Sequence, residues 1–181
     1  MQIKSYDSSH LDAIVRLSLR AWEPVFASLQ NAFNPNVYQT FYPEHWQVSQ
    51  QKAVEDICAD DNAQIWVAIV ADSTANHPTA NHPTANQGTE TIAGFIAVKL
   101  HPDDRMGEIY MIAVDPDFQK CGIGSALVEF SLTQIQAAGM AIAMVETGGD
   151  PGHAPARQTY EKAGFEHFPV ARYFKALSTC P

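Results

Sequence analysis

The residues with the clearest chemical potential in this 181-residue chain lie in one turn, Gln119-Lys120-Cys121-Gly122-Ile123-Gly124-Ser125. The apolar run Ile109 to Val114 stops just before it at Asp115-Pro116. Ile123, Leu127 and Phe130 follow at helical spacing. A glycine-containing turn that opens a helix aims several unpaired backbone N–H groups at one spot, at the positive end of the helix dipole. A phosphate or pyrophosphate can sit there. Gly122 and Gly124 clear its approach, and Lys120 adds a mobile positive charge. The turn is no Walker loop, since no Gly-Lys-Ser/Thr follows. It also lacks the third glycine of a dinucleotide site, where Leu127 stands.

The elements that must position this turn can be read on either side of it. Gln2 to Tyr6 reads as a first strand. Ser9 is then expected to cap a helix carrying Leu11, Ile14, Val15, Ser18 and Trp22, and Pro24 to end or bend it. An aromatic-rich stretch follows from Trp22 to Trp46. Most of its rings are expected in the core, with a few left to wall an acceptor pocket. Gln47 to Ala59 reads as a second helix, and Ala63 to Ala71 as a strand. A polar Thr-Ala-Asn-His-Pro repeat then fills residues 73–88, expected as a mobile loop between paired strands. Its His77 and His82 are poorly preorganised for a metal. Thr91 to Leu100 and Gly107 to Val114 continue the sheet. A helix from the glycine turn to about Ala138 leads into a parallel strand, Ala141 to Thr147. Pro155 opens a last helix that Gly164 closes, and Phe165 to Phe168 and Val170 to Leu177 read as two final strands.

Composition bounds the rest. The length fits a single domain over residues 1–181. The net charge of −9 excludes a general nucleic-acid binder and is compatible with a cationic amine partner. No apolar run approaches the ~20 residues that span a bilayer. The N-terminus lacks a signal-peptide layout, and Cys58, Cys121 and Cys180 have no disulfide or metal spacing. A cytoplasmic protein with no metal and no membrane partner is the expectation.

Two patterns together identify a family. Val114-Asp115-Pro116 and the turn after it resemble the pyrophosphate loop of the GNAT N-acetyltransferases, Gln/Arg-x-x-Gly-x-Gly/Ala. Ala156-Arg157-Gln158-Thr159-Tyr160-Glu161-Lys162-Ala163-Gly164-Phe165 resembles that superfamily's final signature, Ala-x-x-x-Tyr-x-x-x-Gly-Phe, at the correct distance. The element order, β-α-α-β-β-β-α-β-α-β-β, also resembles that fold: α/β, with a mixed sheet covered by helices. The resemblance implies transfer of the acetyl group of acetyl-CoA to an amine, by direct attack in a ternary complex. Backbone groups of Ile112, Ala113 and Val114 would bind the pantetheine arm, and Gln119 to Ser125 would hold the pyrophosphate. Cys121 is then a backbone ligand rather than a nucleophile.

By the same resemblance, Tyr160 serves as general acid toward the CoA sulfur and touches the thiol end of the cofactor. Glu108, on the strand leading into the site, is the expected general base; alternation would put Glu108, Tyr110 and Ile112 on one face. Glu146 at the end of the next strand competes for that role. His153 stands seven residues before Tyr160, where many relatives carry an asparagine that contacts the cofactor arm. It can replace that asparagine as a cofactor contact or act as the base. The acceptor is a small-molecule or peptide amine, and the family habit leaves a homodimer open. Two other readings remain: a non-catalytic CoA-binding sensor, and an acetyltransferase of protein N-termini.

Overall fold

The computed structural model describes residues 1–71 and 90–177. The repeat between residues 73 and 88 and Cys180 lie outside those residues. Five strands form one sheet in chain order, β1 (Gln2–Ser5), β2 (Ala63–Ala71), β3 (Glu90–His101), β4 (Met106–Val114) and β5 (Ile142–Val145). All neighbours are antiparallel except β4 and β5. The parallel pair needs a crossover, and α4 (Ile123–Ala137) supplies it. Three helices separate β1 from β2: α1 (Leu11–Ala32), α2 (Pro35–Phe41) and α3 (Trp46–Cys58); α5 (Ala154–Lys162) follows β5.

The sheet carries a core on each face. Trp66, Ile96, Val98, Ile109, Leu127, Val128 and Tyr160 pack on the side of α4 and α5. Ile14, Leu17, Val54, Ile57, Val67, Phe95 and Ala113 pack on the side of α1 and α3. Leu127 is fully buried in the first of these. Leu127→Ala should cost about 2–5 kcal/mol, read as a lower urea midpoint at unchanged slope.

Three local expectations need correction. The first helix does not stop at Trp22 but runs 22 residues, with Pro24 inside it. Proline removes one helical hydrogen bond there, yet Phe26 two residues later is buried and holds the helix against the protein. The helix is also entered differently: Asp7, not Ser9, caps a short 3-10 turn, Ser8–His10, that feeds α1. Finally, residues 165–177 form no strand. Phe168, Val170, Tyr173 and Leu177 are exposed, while Phe174 packs edge-on against Phe33 and Phe41 at the α1–α2 corner. Aromatic anchoring of Phe174 replaces strand pairing, and β5 stays at the sheet edge.

Candidate active site

The register of β4 creates the first part of the site. Its pairing with β5 runs from Met106–Ile142 to Ile109–Val145 and ends there. On the other side, pairing with β3 continues to Val114–Gly94. Among the described residues, the edge of β4 that faced β5 therefore has no strand beside it from Tyr110 to Val114, and apart from the Val114 carbonyl its backbone groups are left for an extended ligand. The splay coincides with a bulge, because Val98 pairs with Ile109 and Ala97 with Met111, leaving Tyr110 as the extra residue.

The bulge overturns the simple alternation. Glu108 lies opposite Lys99, and Lys99 holds its ammonium 4.4 Å over the Tyr110 ring and 2.9 Å from Asp60, which follows α3. Glu108 and Tyr110 thus share the α1/α3 face with Met111 and Ala113, while Ile112 packs on the opposite side with the α4 core.

β4 then delivers the chain to the glycine turn. The Gln119 amide Nε2 donates to the Val114 carbonyl at 3.1 Å, so this side chain braces the turn against the strand end. Lys120 has φ 60° and Gly122 φ 81°, both left-handed, and this double reversal brings the chain into α4. Gly122 is the N-cap of α4 and supplies no side-chain cap, so the N–H groups of Ile123, Gly124 and Ser125 in the first turn are free for an anion. A Cβ on Gly122 would meet nothing within 4 Å, so the glycine is needed for its φ and for ligand clearance, not for internal packing. Cys121 is exposed on this turn.

An ion pair invisible in the motifs fixes the same corner. Arg20 of α1 reaches both Asp115 oxygens, at 2.9 and 2.7 Å, and Asp117 at 2.9 Å. Asp115 is buried, and its Oδ1 also accepts from the Asp117 N–H. Arg20 therefore ties the long first helix to the point where β4 becomes the turn. Only its place on the helix face could have signalled this.

Tyr160 lies on α5 at 7% exposure, with its ring 5.9 Å from Phe165 in an edge-on arrangement. Burial pushes its phenol up to about 12. The phenol therefore keeps its proton at any working pH and can act as a hydrogen-bond donor, never as a resident base.

The three carboxylate or imidazole candidates are in different settings. Glu146 is mostly exposed and pairs with Arg172, as a rim residue does. Glu108 is part-buried, with Oε2 2.9 Å from Nε2 of His101. His153 places Nδ1 2.5 Å from Oδ1 of Asp150, whose side chain is only 8% exposed. An ionised carboxylate only accepts hydrogen bonds, so Nδ1 carries the hydrogen and Nε2 is left as the basic nitrogen. His153 also lines a cavity of about 230 Å³ between α1, α3 and the turn before α5.

In sequence, Asp150 to Pro155 reads as a rigid entry to α5, with no role assigned to the partners of His153. Burial raises Asp150, but hydrogen bonds from Ser28, His153 and the Gly152 N–H outweigh it and hold the carboxyl below its ordinary value of 3.8. Arg157 of α5 donates to the carbonyls of Gly148 and Asp150. Gly152 lets the loop touch α1: a Cβ there would lie 2.9 Å from the Val25 backbone and 2.7 Å from Ser28 Cβ. Gly148 faces the pair itself, since a Cβ would lie 2.5 Å from both Asp150 Oδ1 and His153 Nδ1.

A lowered folded pKa contributes stability above the unfolded value, and that contribution is lost as pH falls through the folded one. The stability penalty of Asp150→Asn, measured by urea melts, should therefore be present at neutral pH and shrink progressively below pH 3.8.

Among the described residues no group of three or more His, Cys, Asp or Glu side chains is arranged to hold a metal ion. No described helix is long and apolar enough to cross a membrane.

Comparison with known proteins places this arrangement. Residues 32–165 match the family model described as the acetyltransferase (GNAT) family. A mycothiol acetyltransferase of Streptomyces coelicolor is 35% identical over 74 residues, 41% of this chain and 23% of that protein. One from Streptomyces griseus is 35% identical over 87 residues, 48% of this chain and 28% of that protein. The matched segment thus spans only about a quarter of the length of these curated relatives. Among solved structures, the ribosomal-protein-S18-alanine N-acetyltransferase of Escherichia coli aligns with TM-score 0.59 and 20% identity, over 93% of this chain and 79% of that one. A putative GNAT acetyltransferase from Desulfovibrio desulfuricans aligns with TM-score 0.59 and 20% identity, over 93% and 87%. These structures share the fold. With most of its length matched by the family model, and with a splayed β4 leading into a left-handed glycine turn, the chain belongs to the acetyltransferase (GNAT) family.

Proposed function

We propose that the protein transfers the acetyl group of acetyl-CoA to a primary amine by direct attack in a ternary complex. The observation that carries this reading is the continuity of the unpaired β4 edge with the free N–H groups at the start of α4. An extended arm with a pyrophosphate at one end needs both features, in that order. Ile112, Ala113 and Val114 line the edge that would bind the pantetheine arm. Lys120, Cys121, Gly122, Ile123, Gly124 and Ser125 form the pyrophosphate cradle, with Gln119 bracing it. Acetyl-CoA supplies an activated thioester. The chain must orient it, remove a proton from the amine and ease departure of the thiolate. Tyr160, held neutral by burial, donates toward the sulfur as negative charge develops there.

For the base, the geometry favours His153 over Glu108. Asp150 holds the His153 ring with Nε2 basic, and the ring borders a cavity, whereas one oxygen of Glu108 is committed to His101. His153 on this reading faces the acceptor rather than the cofactor arm. Acetyl-CoA-dependent thiol release against a panel of primary amines tests the activity; cofactor binding without release for any amine would leave a binding module instead. In the same assay His153→Ala should lower kcat about 100-fold with acetyl-CoA affinity retained, and Glu108→Gln should lower it less than about tenfold. The reverse order would return the base to Glu108.

A further inference from the structure

Three charged side chains meet where β4 hands over to the glycine turn, and Asp115 is the joint between them. Its backbone N–H donates to the Ala93 carbonyl of β3 at 2.9 Å. Its Oδ1 caps a 3-10 turn, Pro116–Phe118, that leads into Gln119. The Asp115 side chain is only 11% exposed, so its charge needs a cation held against it. Arg20 is that cation. One terminal nitrogen of its guanidinium is committed to Asp115 and the other to Asp117. Ile14, Leu17 and Ser18, buried on the same helix, fix the support from which Arg20 reaches.

This corner also carries an electrostatic conflict. Two aspartates stand at the entry of a turn that would hold a pyrophosphate, and Lys120 is the only cation within residues 119–125. The Arg20 charge cancels one of the two and leaves the trio with a single net negative charge. We infer that Arg20 is a positioning residue for the cofactor. It holds the Asp115 joint that sets the turn and screens the aspartates from the pyrophosphate, while its own terminal nitrogens stay on the carboxylates. This deepens the acetyl-transfer reading and rests on it for the identity of the anion, but not for the order of the turn.

The test is a rescue. Arg20→Gln should raise the KM for acetyl-CoA about tenfold and leave kcat within about twofold, because the turn binds the cofactor but carries out no chemistry. Adding Asp115→Asn should bring KM back to within about threefold of wild type. The asparagine oxygen still caps the 3-10 turn, and the double variant restores the single net negative charge of the corner. Asp115→Asn alone leaves Arg20 on Asp117 and should bind CoA no more weakly than wild type. By NMR without cofactor, the amides of Ile123 to Ser125 should shift in Arg20→Gln and return in the double variant. Arg20→Lys covers the case in which Arg20→Gln does not fold. Its single ammonium cannot span both aspartates, so KM should rise about threefold and again fall back with Asp115→Asn. A KM that stays raised in the double variant, with Asp115→Asn binding normally, would make Arg20 a direct cofactor ligand and overturn the inference. Unchanged KM and amides in folded Arg20→Gln would also overturn it, leaving a structural ion pair alone. Absence of CoA binding by wild type would instead sink the transferase reading, and the cofactor-free amides would then decide whether Arg20 orders the turn.

Discussion

Gly122→Glu is expected to weaken acetyl-CoA binding at least about 100-fold while leaving a folded protein. Two effects combine. A side chain at φ 81° strains the backbone by about 1–2 kcal/mol, and a carboxylate is placed where the first-turn N–H groups of α4 would meet the pyrophosphate. The second effect dominates, because a Cβ at this position touches nothing in the protein. Gly122→Ala separates the two. It should lower stability by about 1 kcal/mol and keep most of the binding. Calorimetric titration with CoA reads both variants, and full affinity in Gly122→Glu would remove the pyrophosphate from this turn.

Tyr160→Phe should lower kcat about 100-fold with CoA affinity within about twofold of wild type. The hydroxyl is lost, but the ring keeps its packing against Phe165 and the α4 core. The phenol is raised from 10.0 to about 12, so it is still protonated at pH 10. Wild-type kcat should accordingly show no alkaline fall attributable to this group between pH 7 and about 10. The raised pKa also makes a sign prediction for folding. Stability from the neutral buried phenol is fully present below pH 10.0 and is lost as pH rises toward about 12, and Tyr160→Phe should lack that loss. Unchanged turnover in Tyr160→Phe at every pH would take the donor role away from Tyr160.

The turn proposed to hold the donor was legible because its structure is local. A turn, a helix start and a strand are written in consecutive residues, and Val114 to Leu127 behaves as those residues require. β2, from Ala63 to Ala71, has the bounds its apolar run implied. The cavity beside His153 was not legible. Its parts come from distant segments: Trp22 and Phe26 on α1, Gln50 on α3, and His153 after β5. Nothing about a glutamine in a polar helix indicates that its amide will be buried without a partner. The Tyr110 bulge was missed for a related reason, since alternation is a local rule and the extra residue is set by how two strands pair. Pro24 misled in the opposite direction. It is a local stop signal overridden by packing of the following turn. The last two strands failed because apolar residues at the end of a chain form a strand only where they pair with an edge, and Phe174 packs instead against Phe33 and Phe41.

The account's central claim is that one cofactor lies along the open edge of β4 with its pyrophosphate on the start of α4. Titrating isotopically labelled protein with CoA and following backbone amides tests it directly. The largest shifts should fall on Ile123, Gly124 and Ser125 and on Met111 to Val114, with β1 and β2 unmoved. Saturable CoA binding that leaves those amides in place and moves others would contradict the account.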